Sequence, residues 1–216
     1  MRVNRIWILV TSLIVLLPMA AGLVLWDRLP AEMAVHFGAD GEADGFASRG
    51  FAVFGLPLIL LAVHLLCAFV TLHDPKWENI SGRIYHLVLW ICPVISVICG
   101  AMLYLYALGI AMDTLFFVKL LMGLLFLILG NYLPKCRQNY TVGIKLPWTL
   151  ADPENWNRTH RMAGWIWIAG GLVLLADAFL HFLPDWGFLP LLLLLALIPM
   201  VYSFALHLKK ERAGRA

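Results

Sequence analysis

Charge is scarce in this chain: 13% of its 216 residues are Asp, Glu, Lys or Arg, where a soluble domain carries about 25%. So few charges cannot cover a water-facing surface. That excludes an ordinary soluble fold and sets nearly all of this one-domain length against lipid or other helices. Short segments of alternating polarity are missing, and with them the signature of a membrane-spanning β-barrel. No C-x-x-C pair occurs among Cys67, Cys92, Cys99 and Cys136, and none of the four falls in a segment expected on the outer side of the membrane. A disulfide framework and a zinc site are therefore not expected, and the cysteines read as buried small hydrophobes. A Ser–His dyad, an H-E-x-x-H helix, a P-loop and an internal repeat are absent as well. His160 beside Asp152 is too little to name a reaction. No enzyme activity and no cofactor are expected.

What the chain has is hydrophobic length: 62% of residues are apolar and the mean hydropathy is +0.85. A spanning helix needs about 20 predominantly apolar residues. Six stretches qualify, at residues 6–26, 51–72, 84–108, 114–133, 163–183 and 188–208. The prediction is an all-α membrane protein, a bundle of six transmembrane helices. Arg2, Arg5 and the small residues Ala20-Ala21-Gly22 imitate a signal peptide. The apolar run nevertheless continues through Leu23 to Trp26, too long for a typical h-region, so an uncleaved first helix is expected. Pro18, Pro57, Pro93 and Pro199 fall inside helices, where each removes a backbone donor and invites a kink.

Lysine and arginine set the orientation. With the N-terminus in the cytoplasm, 13 of the 16 fall inside: Arg2, Arg5, Lys76, Arg83, Lys135, Arg137, Lys145, Arg158, Arg161, Lys209, Lys210, Arg212 and Arg215. Only Arg28 and Arg49 fall outside, and Lys119 lies within a helix. Both termini are thus expected in the cytoplasm. The chain then reads as a single membrane domain in consecutive parts. These are a helix pair over residues 1–72 with an outer loop at 27–50, helices three and four over 73–133, an inner loop at 134–162, helices five and six over 163–208, and a basic tail at 209–216.

Two loops are long enough to carry function. In the outer one, Pro30 stops the first helix and Gly38, Gly41 and Gly45 permit tight turns. Asp40, Glu42 and Asp44 imitate the opening of a calcium loop, but the twelfth position is Phe51, not an acid, so the EF-hand pattern fails. A cruder divalent site from His36, Asp40 and Asp44 competes with a plain turn cluster of solvated acids, which is preferred. In the inner loop, Pro134 ends the fourth helix, and Lys135 and Arg137 sit where anionic headgroups attract them. Asp152, Pro153 and Glu154 read as a helix start, N-cap, first position and first-turn acid, running through Trp156 and His160 into the fifth span. Trp148 and Trp156 suit an interfacial aromatic belt. The loop's many polar groups either satisfy each other in a folded hairpin or form a docking surface, with Arg137, Lys145, Arg158 and Arg161 for charged contacts and the two tryptophans for apolar area.

Two blocks resemble the SdpI family of bacterial membrane proteins, which takes its name from an immunity protein. Leu29-Pro30, His36-Phe37, Gly41 and Asp44-Gly45 are similar to the family's N-terminal domain of unknown function. Gly130-Asn131, Pro134, Arg137, Asn139, Gly143-Ile144-Lys145, Pro147-Trp148-Thr149, Asp152, Trp156 and Thr159-His160 are similar to its C-terminal signature. Lys145 departs from an expected Arg, keeping the charge but losing the planar fork. The resemblance implies a multi-pass protein of a bacterial cytoplasmic membrane. It further implies a peptide toxin outside and a cytoplasmic transcriptional repressor inside as partners, and no direct contact with nucleic acid.

Three ionisable residues lie in spans: His64, Lys119 and Asp177. Charges within a membrane are costly and usually paired or functional. Lys119 has three readings: snorkelling outward, a structural pair with Asp177, or a proton or ion path through both. His64 reads as a hydrogen-bonded interior side chain. Immunity or signalling through a recruited partner is thus the leading function, with a small ion- or proton-coupled transporter as the alternative.

Overall fold

In a computed structural model of the protein, which describes residues 5–38 and 40–213, the chain is mostly helical. Among the described residues, six helices are long and apolar enough to cross a membrane: Arg5–Val24, Phe51–Leu72, Gly82–Ala107, Thr114–Lys135, Pro153–Leu180 and Phe188–Ala213. The expected spans agree closely; the fifth helix begins at Pro153, as the Asp152-Pro153-Glu154 start predicts, and the sixth absorbs most of the expected basic tail. Arg2 and Arg215, both counted toward the cytoplasmic side, lie outside the described residues. Large apolar side chains cover the helix exteriors, Phe69 at 58% and Val201 at 66% exposed. Such a surface is an aggregation hazard in water and the normal condition in lipid.

The chain divides into two compact units. The first comprises Met1–Val70 and Tyr85–Leu121. Its first span is two helices, α1 (Arg5–Val15) and α2 (Leu17–Val24). They break ahead of Pro18, which occupies the first turn of α2, where its missing N–H costs least. Ser96 and Tyr104, both on α4 (Gly82–Ala107), support the break: their hydroxyls donate to the carbonyls of Val15 and Pro18, each at 2.7 Å. Pro57 likewise sits near the start of its helix, α3 (Leu56–Leu72), after a π-helical turn at Phe51–Gly55. Only Pro93 and Pro199 are interior.

The segment expected as a loop at 27–50 is instead a β-hairpin, with β1 (Glu32–Phe37) antiparallel to β2 (Ala43–Ser48) and an irregular register around His36. Met33, Val35 and Phe37 carry the period-2 pattern of a half-buried strand. Met33 joins Leu29, Ala52, Val53, Leu103 and Tyr104 in a buried apolar cluster, and Val35 packs against it. Phe37 meets Tyr106 edge-on at 5.1 Å. Arg49 closes the hairpin's base: its guanidinium lies 4.3 Å over the Trp26 ring and donates to the carbonyls of Trp26 and Leu29 at 2.7 and 3.0 Å.

The second unit comprises Thr71–Ile84 and Met122–Ala216. It holds the C-terminal part of α5 (Thr114–Tyr132), a short α6 (Pro147–Ala151), α7 (Pro153–Leu180) and α8 (Phe188–Ala213). α7 is the most enclosed of the spans, with 39% of its apolar window buried against 17% for α8. Glycines bring α5 and α7 close. A Cβ at Gly130 would meet the Gly164 carbonyl at 2.8 Å, and one at Gly171 would meet the Gly123 carbonyl at 2.7 Å. Small residues at both ends of a crossing let two backbones touch, which is how helices associate where no hydrophobic drive exists between them. Trp167 ties α7 to α8 by donating to the Leu195 carbonyl at 2.9 Å. With 28 residues, α7 is about 42 Å long at 1.5 Å per residue. That exceeds the ~30 Å hydrocarbon core, so one end of α7 stands clear of it.

Candidate functional site

The folded segment between the fourth and fifth spans is organised by a residue that sequence reasoning passed over. Asp74, on the connection between α3 and α4, is 4% exposed. Its Oδ1 accepts the Lys76 N–H at 2.7 Å, and its Oδ2 accepts the Tyr140 N–H at 2.8 Å and the Thr141 hydroxyl. Gln138 reinforces the tie. It accepts from Lys76 Nζ at 2.6 Å, donates to the carbonyls of Thr149 and Leu150 at 2.9 Å, and offers its own carbonyl to Asn79 at 2.7 Å. Asn139 turns the chain by accepting the N–H groups of Thr141 and Val142 at 2.9 and 2.7 Å.

The segment then wraps around an aromatic pair. Trp156, fully buried, stacks on His160 with ring centroids 4.0 Å apart and donates to the Cys136 carbonyl at 2.8 Å. His160 Nδ1 lies 2.8 Å from the Trp156 carbonyl, which can only accept, and Nε2 lies 2.9 Å from the Ile144 N–H, which can only donate. The ring is therefore neutral with its proton on Nδ1, and neither nitrogen is left for acid–base chemistry. Gly143 passes directly over this pair at φ +124°, where a Cβ would overlap His160 Nε2 and stand 3.0 Å from the indole. Burial pushes the Cys136 thiol up to about 11, so it is protonated at neutral pH and unreactive. Peptide-mapped labelling with a water-soluble maleimide will leave Cys136 unmodified until the protein is unfolded. Modification of the native protein at the rate of a free thiol would show that the segment is open.

α6 locks the segment onto the last two spans. Pro147 takes its first position, and Thr149 receives the Leu146 N–H at 2.9 Å, half of a capping box. Trp148 donates to the Ser203 hydroxyl and stacks on His207 at 5.9 Å. Asn155 donates to the Ser203 carbonyl and accepts from Thr159, both at 2.9 Å. Asp152 caps α7 as expected, its Oδ1 accepting the Glu154 N–H at 3.0 Å. Its carboxylate is held below the usual range chiefly by Lys210, whose ammonium lies 2.9 Å away, with burial opposing. That contribution is present at neutral pH and fades as pH falls through the lowered value.

The other candidates are placed as follows. Asn131 accepts from Lys135 at 3.0 Å, Pro134 packs against Gly164, and Lys145 reaches back to the Thr141 carbonyl at 2.8 Å. Trp156 is enclosed and Trp148 is bonded to α8, so neither forms the expected aromatic belt. On the hairpin, His36 Nδ1 pairs with Asp44 at 2.5 Å and Asp40 accepts the Glu42 N–H. Among the described residues no three His, Cys, Asp or Glu side chains gather as a metal shell. His64 is an interior side chain bonded through Nε2 to Thr11 at 3.0 Å, as expected. Lys119 is 3% exposed. Asp177 is 1% exposed, and its Oδ1 accepts the Leu183 N–H at 2.7 Å where the chain leaves α7.

This is a multi-pass membrane protein with a hairpin between its first two spans and a hydrogen-bonded segment between its fourth and fifth. Residues 135–203 match the SdpI/YfhL protein family, and residues 13–61 match a domain of unknown function, DUF1648. The chain is thus similar to the SdpI/YfhL family over residues 135–203 and to DUF1648 toward its N-terminus. It is similar to the immunity protein SdpI of Bacillus subtilis (strain 168), with 23% identity over 199 residues that cover 90% of this chain and 91% of that protein. No solved structure matches.

Proposed function

We propose that this is a non-enzymatic immunity protein of a bacterial cytoplasmic membrane, protecting its cell from a secreted peptide toxin and recruiting a cytoplasmic transcriptional repressor. The observation that carries the reading is the end-to-end likeness to an immunity protein, spanning 90% of this chain. The asymmetry of lysine and arginine supports an orientation with the hairpin outside and the 134–162 segment in the cytoplasm. Both nitrogens of His160 are engaged, which weighs against an enzyme reading built on that ring. Deleting the gene should sensitise cells to the toxin, and restoring it should protect them. Unchanged sensitivity, with no cytoplasmic protein co-purifying, would sink the proposal. Reporter fusions at 74–76 and 135–145 should read cytoplasmic and fusions at 40–47 external.

The docking surface narrows to what the fold leaves outside. Lys145 is exposed and Tyr140 is 48% exposed. Lys145→Ala should therefore keep protein yield and lose partner recruitment. Trp148→Ala should lower yield, because its indole holds α6 to α8. Recruitment that survives Lys145→Ala and Tyr140→Ala together would place the docking elsewhere.

A further inference from the structure

A groove of about 630 Å³ opens in the second unit where α4 begins and α5 ends. Arg83, Lys135 and Arg137 line it, with Glu78 as the one carboxylate. Lys135 is committed in part, donating to Asn131 and lying 5.3 Å over the Tyr132 ring. The guanidiniums of Arg83 and Arg137 have no acid or carbonyl partner among the described residues. Arg137 contrasts with its neighbours. Cys136 is buried, Gln138 is bonded at both ends of its amide, and the Arg137 carbonyl accepts from Asn139 at 2.8 Å. A rigidly held backbone thus presents a free planar cation, so little ordering entropy remains to be lost when an anion arrives. The N-terminus of the 26-residue α4 forms another wall and adds its partial positive charge.

We infer that this groove binds the phosphate of an anionic phospholipid headgroup. Phosphate chemistry follows from two unpaired guanidiniums, an ammonium and a helix N-terminus converging on one space. A lipid is favoured over a soluble phosphate by depth: the lining residues open one span and close another, which is the headgroup level. Trp77, next to Glu78 and 46% exposed, is the kind of side chain that settles there. This site needs neither the toxin nor the repressor of the preceding proposal, and its test is independent of both.

The experiment is native mass spectrometry of the full-length protein in mild detergent, titrated with phosphatidylglycerol, phosphatidylcholine or inorganic phosphate. One phosphatidylglycerol should be retained in preference to phosphatidylcholine. Arg83→Gln and Arg137→Gln should each lower its bound fraction about fivefold, the worth of one cation near a charged headgroup. Arg212→Gln, which removes the same charge on α8 outside the groove, should not. Lys135→Gln provides a third, independent probe of the same space. Equal losses from Arg212→Gln and the groove variants would reduce the effect to diffuse electrostatics and overturn the site. Displacement of the lipid by inorganic phosphate at equal concentration would make the ligand a soluble phosphate and overturn the lipid assignment. Unchanged lipid binding in all three groove variants would overturn the proposal altogether.

Discussion

Gly143→Ala will unfold the segment between the fourth and fifth spans. At φ +124° an L side chain is strained whatever the space around it, at about 1–3 kcal/mol. Here the space is also taken. The new methyl overlaps His160 Nε2, and that ring is held by the Ile144 amide on one nitrogen and the Trp156 carbonyl on the other, with the indole stacked on its face. Neither ring can retreat without breaking a buried hydrogen bond, so the total loss should reach about 3 kcal/mol or more. Denaturant unfolding in detergent, together with membrane yield, measures it. Combining Gly143→Ala with His160→Ala removes the ring that the methyl meets, so the double variant should be less damaged than the two single losses added together. Strict additivity would show that the overlap is not the cause.

Asp74→Ala should free the same segment from the other side. Its carboxylate gathers three donors, the amides of Lys76 and Tyr140 and the hydroxyl of Thr141. A donor left buried and unsatisfied costs about 1–3 kcal/mol. Asp74→Asn should fall between the two, because one of its two positions becomes an NH2 that faces another donor. Arg137 and Lys145 are exposed tryptic sites inside the tied segment. If cleavage follows the open population, a loss of about 2 kcal/mol raises its rate roughly thirtyfold. Tryptic cleavage of the native protein in mild detergent should therefore quicken from wild type to Asn to Ala. Equal rates in all three would show that Asp74 does not hold the segment closed.

The spans and the start of α7 were legible because each rests on a local property. Apolar runs mark the spans, and Asp152-Pro153-Glu154 marks the helix start by itself, with capping partners only two residues away. The hairpin was not legible: two six-residue strands broken by glycines and acids look like a loop until they pair. Asp74 was missed for a related reason, since its partners Tyr140 and Thr141 lie 66 and 67 residues along the chain. Arg137 was placed near anionic headgroups by sequence, but only the fold shows that it shares a groove with Arg83.

By itself, the sequence determined that this chain belongs in a bilayer and which segments are long and apolar enough to cross it. Transfer from water to lipid is close to a sum over single residues, and a sum can be read in order along the chain. It also determined where α7 begins, because a cap is made within one turn. Tertiary structure alone decided which polar groups answer one another, why Gly143 must be glycine, and that Trp148 and Trp156 serve the interior rather than an interface. A hydrogen bond or a close packing contact depends on distance and angle between segments far apart in sequence. Those quantities do not exist until the helices have been brought together.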